Sequence, residues 1–353
     1  MKHLNPITTF FRQFTLVLCL VLGFQSCVKE GVPAKGRTIF VRTSGADMPV
    51  YLHGNADSKV VILLIHGGPG GNGIEYRSGT YAELLEEKYV MAYLDQRGQG
   101  SSRKVNSDYE VTMNTLINDV SAVVSVLKAE LGSDVKVYLF GHSWGGTLGT
   151  GYLLANDNQK NIQGWIEADG AHDIPLLNKE AIKMFRKVGQ DEIAKGNNTG
   201  KWQEIVNWAY AIDTNNISDA QGGEINEKAY EAEELINELG ESDRGGIPYR
   251  VLYSPVDPII SSLVGNATSS ALDADGIESL AYTNQLYKIT IPSLFLWGKY
   301  DFVVPPRLGK SGFDNIGSAD KELILFNQSG HSPMNTEPAA FANAIIEFVE
   351  RTK

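Results

Sequence analysis

The sequence predicts an α/β fold: a mostly parallel sheet of about eight strands with an inserted helical cap. Three observations lead there. Apolar runs of strand length alternate with helical patterns from Val60 to Ala168. The charged, helix-patterned interval 173–288 then carries no convincing parallel strand. Strand-like runs resume at Ser293 and Leu323. Alternating strands and helices need crossover connections, and crossovers give parallel pairing. The core is therefore expected over residues 37–172 and 289–353, with the cap 173–288 above the carboxyl ends of its strands.

The elements follow in order. Thr38–Val41 and Met48–His53 are short β-type runs around the turn signal Ser44-Gly45-Ala46-Asp47, an antiparallel opening hairpin. Val60–Ile65 is apolar at every position, as a strand covered on both faces must be. A helix near Tyr76–Lys88, a strand at Val90–Leu94 and a helix at Asn114–Leu131 come next. Leu116, Val120, Val123, Val124 and Leu127 give that last helix one apolar face. Val135–Phe140 reads as a strand, Gly145–Ala155 as a helix and Ile162–Glu167 as a strand. Two breaks interrupt the cap, at Ser242–Pro248 and Ala267–Gly276. Strands Ser293–Gly298 and Leu323–Phe326 and an amphipathic helix, Ala339–Val349, close the chain.

The chemistry gathers at the carboxyl ends of these strands. Gly141-His142-Ser143-Trp144-Gly145 lies between a strand and a helix. Flanking glycines let a sharp turn lift the serine hydroxyl clear of the backbone, which makes Ser143 the candidate nucleophile. A serine hydroxyl is too weak an acid to act alone, so a general base is needed. His331, just past the last strand in Ser329-Gly330-His331, is the candidate. The base in turn needs an acid to hold its ring. Asp301 follows Ser293–Gly298, with Asp169 and Asp173 as rivals after the preceding strand. Val60–Ile65 opens into His66-Gly67-Gly68-Pro69-Gly70, a loop of unshielded N–H groups. The expected oxyanion donors are the amides of Trp144 and of Gly68 or its neighbour Gly67. His142 and His66 read as packing and loop-orienting groups. Asp95–Gly100 reads as a rigid turn tied by an Asp95–Arg97 network.

His66-Gly67-Gly68-Pro69-Gly70, Asp95-Gln96-Arg97-Gly98-Gln99-Gly100-Ser101 and Gly141-His142-Ser143-Trp144-Gly145-Gly146 together resemble the prolyl aminopeptidase branch of the α/β-hydrolases. The resemblance covers roughly residues 37–172 and 290–351. It implies an α/β-hydrolase fold, with serine, acid and histidine acting in that chain order. Its Gly-x-x-Asp pattern, matched by Gly298-Lys299-Tyr300-Asp301, selects Asp301 as the acid. It implies a serine hydrolase that works through an acyl-enzyme, foremost an aminopeptidase acting on small peptides. Such an enzyme needs a buried acid in the cap for the substrate's amino group. The family's Trp-Glu pair has its nearest counterpart in Trp202-Gln203-Glu204-Ile205-Val206-Asn207-Trp208-Ala209, where alanine replaces glutamate, so strict proline specificity does not carry over. Glu204 and His172 are the substrate-binding candidates, with Asp213, Glu231, Glu233 and Glu234 as further acids. The alternatives are a carboxylesterase or amidase of a small substrate, and a non-catalytic envelope binding lipoprotein.

The first residues carry a targeting signal. Lys2 and Arg12 precede the apolar run Phe14–Phe24, which is too short to span a membrane comfortably. Gln25-Ser26-Cys27 ends it in a way that resembles a bacterial lipoprotein signal. Residues 1–26 are then the signal peptide, Cys27 the lipidated residue and 27–36 a tether. The expected location is the bacterial cell envelope, with the chain held to a membrane through lipid on Cys27.

The 353 residues are 42% hydrophobic with a net charge of −11, which argues against nucleic-acid binding. Cys19 and Cys27 are the only cysteines, so the body has no disulfide framework and no thiol nucleophile. No metal-ligand spacing and no P-loop ending are present, and no cofactor is expected.

Overall fold

The computed structural model describes residues 36–243 and 258–353. The expectations for the signal segment, Cys27 and its tether, and for most of the Ser242–Pro248 break, lie outside the described residues. The strands are β1 (Arg37–Thr43), β2 (Ala46–Gly54), β3 (Val60–Ile65), β4 (Val90–Leu94), β5 (Arg103–Lys104), β6 (Lys136–His142), β7 (Gly164–Ala168), β8 (Ser293–Gly298) and β9 (Lys321–Phe326). They form one sheet in the order β1-β2-β4-β3-β6-β7-β8-β9, with β5 paired to β2 off that path. The β1–β2 and β2–β4 pairs are antiparallel, and from β4 to β9 every pair is parallel. The sheet thus has one strand more than the sequence predicts. β5 is only two residues long, too short to show any periodicity.

All six residues of β3 are buried, and its two faces feed two different cores. Val61, Leu63 and Ile65 pack with the apolar faces of α2 (Met113–Leu131) and α3 (Trp144–Leu154). Ile62 and Leu64 pack with α1 (Gly79–Lys88) and residues of the C-terminal helix such as Phe341, Ile345 and Phe348. That split is the period-two geometry of a strand. In α2, Leu116, Val120, Val123, Val124 and Leu127 are all essentially inaccessible. Burying each such side chain is worth about 1.5–3 kcal/mol. Thr112 starts the helix, its Oγ1 accepting the Thr115 N–H at 3.1 Å.

Between β7 and β8 lie α4 (Ile174–Lys195), α5 (Thr199–Ala211), α6 (Asp219–Leu235) and α7 (Pro258–Ala274), with no strand among the described residues. Asp173 caps α4, its Oδ1 accepting the Leu176 N–H at 3.0 Å. The ends of the insertion are tied together: Ile174 N–H donates to Leu280 O at 2.9 Å, and Tyr282 N–H to His172 O at 3.0 Å. The Ala267–Gly276 break is corrected. Helix α7 runs through it to Ala274, and Gly276, at φ +82°, lies just past its end. The small polar residues that resemble a loop there bond to the core instead. Thr268 Oγ1 donates to Gly98 O, and Ser269 Oγ donates to Pro69 O at 3.1 Å.

Candidate active site

Ser143 is the first residue after β6, at φ 56° and ψ −122°, a conformation rarely open to a non-glycine residue. Its neighbours hold it there. Ser143 N–H donates to Ala168 O at 3.1 Å, and Ser143 O accepts the N–H groups of Gly146 and Ala171 at 2.8 and 3.0 Å. The turn needs glycine at position 145, where a Cβ would fall 2.0 Å from Ile65 O.

The three residues separated along the sequence meet here. His331 Nε2 lies 2.9 Å from Ser143 Oγ, and Nδ1 lies 3.0 Å from Asp301 Oδ2. Asp301 is fully buried, and its Oδ1 accepts the Val304 N–H at 2.7 Å. The rival Asp173 is committed to its helix cap. Burial lowers the pKa of His331, partly offset by the charges of Asp169 and Glu233. Burial, then the Glu233 charge, pushes Asp301 well up. Burial, then the Asp301 charge, does the same to Asp169. Three carboxyl groups thus crowd beneath one imidazole.

The glycine loop after β3 is held from several sides. Gly70 N–H donates to Gln99 Oε1 at 2.6 Å, and Gly73 N–H donates to Asp95 Oδ1 at 2.8 Å. Gln96 Nε2 donates to His66 O at 2.9 Å, while Gln96 Oε1 accepts the Trp144 Nε1–H at 3.0 Å. The expected Asp95–Arg97 link does not form. Arg97 makes a two-pronged bond to Asp119, with both N···O distances at 2.7 Å. Asp95 turns the other way, accepting from Gly73, Ser101 and Tyr51, and burial pushes its pKa up to about 6. Each of the two residues finds its partners in other segments, so one expected link is replaced by two separate networks.

Gly67 N–H is bonded to Tyr76 Oη at 2.9 Å. Gly68 N–H has no acceptor among the described residues, which leaves it as the loop amide open to an oxyanion, opposite the head of α3. Tyr76 Oη also lies 2.6 Å from His142 Nδ1, and His142 Nε2 lies 2.8 Å from His331 O. A carbonyl only accepts, so Nε2 carries the proton and Nδ1 accepts from the tyrosine. Burial drives the His142 pKa down to about 3, which keeps the ring neutral. No local pattern marks Tyr76, because its partner His142 lies 66 residues further along the chain.

Two cavities of about 500 Å³ each open on Ser143 and Gly68. One is lined by Glu75, Tyr76, Tyr230, Glu233, Glu234 and His331. The other is lined by Trp144, Thr147, Asn178, Asp219, Asp273 and Glu278. Glu233 Oε1 accepts the Phe302 N–H at 3.0 Å, and Oε2 accepts the His331 N–H at 3.1 Å.

Neither expected substrate-binding residue lies in these cavities. Glu204 is on the exposed face of α5, because Trp202, Ile205, Val206 and Ala209 take the buried face. His172 is fully buried below the site, with Nδ1 2.7 Å from Glu167 Oε1. Of the acids considered from sequence, Glu233 and Glu234 line a cavity. Among the described residues, no group of three or more His, Cys, Asp or Glu could hold a metal ion, and no helix is long and apolar enough to cross a membrane.

A family profile described as Serine aminopeptidase, S33, matches residues 56–202. The protein named "Probable aminopeptidase YbaC" of Bacillus subtilis is 26% identical over 301 residues, 81% of this chain and 87% of its own. A proline iminopeptidase of Saccharolobus solfataricus is 24% identical over 331 residues, 93% of this chain and 94% of its own. The solved structure of a proline iminopeptidase-related protein from Thermus thermophilus is similar with a TM-score of 0.57 at 19% identity, covering 90% of this chain and 98% of that one. The chain has the α/β-hydrolase fold and is a serine hydrolase. Within that class it resembles the proline iminopeptidase branch.

Proposed function

We propose that this protein is an aminopeptidase that releases the N-terminal residue of small peptides. Ser143 is the nucleophile, His331 its base and Asp301 the acid that orients the imidazole. His331 takes the Ser143 proton as Oγ attacks the scissile carbonyl, and the developing oxyanion meets the amides of Gly68 and Trp144. His331 then gives that proton to the leaving amine, which departs and leaves an acyl-enzyme. Water, activated by the same imidazole, releases the acid and restores Ser143.

The observation that carries the aminopeptidase reading is the charge of the two cavities. Glu75, Glu233 and Glu234 line one, Asp219, Asp273 and Glu278 line the other, and no lysine or arginine lines either among the described residues. A free α-ammonium group is the substrate feature that such walls favour. Of these cavity acids, Glu233 bonds to the backbone of His331 itself. Proline specificity has no comparable support. Ala209 stands where the related enzymes' glutamate is expected, and it is buried with its carbonyl bonded to Arg186.

A panel of aminoacyl amides, their N-acetylated counterparts and simple acyl esters tests this reading. Preferred cleavage of the free-amine amides is expected. Equal or faster cleavage of the acetylated amides or the esters would replace it with an amidase or esterase function. We also propose that lipid on Cys27 tethers the enzyme to an envelope membrane, on the sequence pattern alone. One acyl chain binds only marginally, so the multiply acylated form is required. Cys27→Ser should leave an unprocessed precursor or move the protein out of the membrane fraction.

A further inference from the structure

We propose that Asp169 is a positioning residue of the active site, sharing one proton with Asp301 and able to take over its role toward His331. The inference rests on the triad assigned above. Parallel pairing of β7 with β8 sets Ala168 opposite Leu296, so the chain leaves both strands side by side, first at Asp169 and then at Asp301. Asp169 sits at φ 45°, outside the usual range for its residue type, and is completely buried. Its flanks are bonded to the nucleophile: Ala168 O accepts the Ser143 N–H, and Ala171 N–H donates to Ser143 O. A strained aspartate at this place persists only if its surroundings fix it.

Asp169 Oδ1 accepts the Gly298 N–H at 2.9 Å. Oδ2 is buried with no hydrogen-bond partner among the described residues. The carboxyl that it interacts with is Asp301, whose own Oδ2 meets His331 Nδ1. Two acceptors facing each other in a buried site need a proton between them, and one proton gives the pair a single negative charge. The balance is simple: one carboxyl O–H donates to the other carboxylate, and no further reactant is needed. Burial pushes both groups up, helped by the Asp301 charge at Asp169 and by the Glu233 charge at Asp301, in keeping with a retained proton. When Asp301 is replaced by a neutral amide, its charge no longer opposes ionisation of Asp169, and positive charge on His331 favours it. The charge stays beneath the imidazole.

The test is a double-mutant cycle on Asp169→Asn and Asp301→Asn, read as the rate of hydrolysis of p-nitrophenyl acetate, with Ser143→Ala as control. With Asp169 in reserve, Asp301→Asn should cost about 10²-fold, and the double variant about 10⁴-fold, the loss typical of a triad without its acid. Asp169→Asn should then cost at least ten times more in the Asp301→Asn background than alone. Equal costs in both backgrounds would overturn the proposal and leave Asp169 a structural cap of the β8 end. If Asp301→Asn fails to fold, infrared spectroscopy of the wild-type chain decides. The stretch of a protonated carboxylic acid at neutral pH should lose the intensity of one carboxyl in Asp169→Asn, and unchanged intensity there would equally overturn the proposal. Retained hydrolysis in Ser143→Ala would instead sink the assigned triad, so the two failures are distinct.

Discussion

The carboxylate of Glu233, on cap helix α6, accepts the backbone N–H of His331 at 3.1 Å. Its other oxygen holds the Phe302 N–H, next to Asp301. One cap side chain therefore braces both loops that carry the base and the acid. The same carboxylate borders the cavity on Ser143. Burial raises its pKa, and the positive end of a substrate would favour its charged form.

Two substitutions at Glu233 should separate these roles. Glu233→Gln keeps an acceptor for one of the two backbone N–H groups and removes the charge. It should raise KM for free-amine substrates by roughly 10-fold or more, the scale of one hydrogen bond to a charged group. Its effect on acyl esters should be much smaller. Glu233→Ala orphans two buried N–H groups, each costing about 1–3 kcal/mol, and should lower Tm as well as kcat. Steady-state kinetics on paired amide and ester substrates, with thermal melts, checks both. Equal KM changes on amides and esters would count against amine recognition.

Ser143→Ala and His331→Ala should each reduce kcat by about 10³-fold or more, because members of a triad act as a unit. Their melting temperatures should stay close to that of the parent chain. Ser143→Ala removes one hydroxyl, leaving the backbone bonds of the turn in place. A fluorophosphonate probe should label the parent chain and neither variant. Turnover near the parent level in Ser143→Ala would refute the mechanism.

The strands were legible because β3, β4, β6, β7 and β8 are buried on both faces and so read as mostly apolar runs, with Glu167 a buried exception in β7. The meeting of Ser143, Asp301 and His331 was legible because each follows a strand, where a parallel sheet gathers its loops. What stayed hidden depends on contacts between distant segments. Tyr76 reaches His142 across 66 residues and Glu233 reaches His331 across 98. Nothing local to Glu233 distinguishes it from Glu231 or Glu234, since helix phase against the loops decides which acid turns inward. Arg97 shows the same limit. Its partner Asp119 lies on α2, 22 residues away, while the tempting neighbour Asp95 points elsewhere.

On an acyl ester, which has no amine for Glu233 to bind, the pH dependence should show one acid limb. His331 must be neutral to accept the serine proton, and burial holds its pKa below the ordinary 6.5. Activity is therefore retained as pH falls from 7 to about 6.5 and is lost as pH falls through that lowered value. His142 does not add a second limb in this window, because its pKa lies at about 3. A plot of log kcat/KM against pH should have unit slope on the acid side, with its midpoint below 6.5. A midpoint above 6.5 would mean that nearby carboxylates, not burial, dominate the imidazole.

Tyr76→Phe should damage catalysis without touching the three residues of the proposed triad. The hydroxyl accepts the Gly67 N–H and donates to His142 Nδ1, and His142 holds the His331 carbonyl. Removing it leaves a buried donor and a buried acceptor unmatched, at about 1–3 kcal/mol for each group. The glycine loop and the His331 loop then lose the bridge between them. The Gly67 amide is also released to compete with Gly68 for the oxyanion. Because precise donor placement is what stabilises the transition state, kcat should fall by roughly 10-fold or more. The ring itself remains as a cavity wall, so KM should change far less, and Tm should drop by a few degrees. Kinetics on one ester and one amide, together with a thermal melt, checks all three expectations. A Tyr76→Phe enzyme with unchanged kcat would show that the chain from Gly67 to His331 is packing alone.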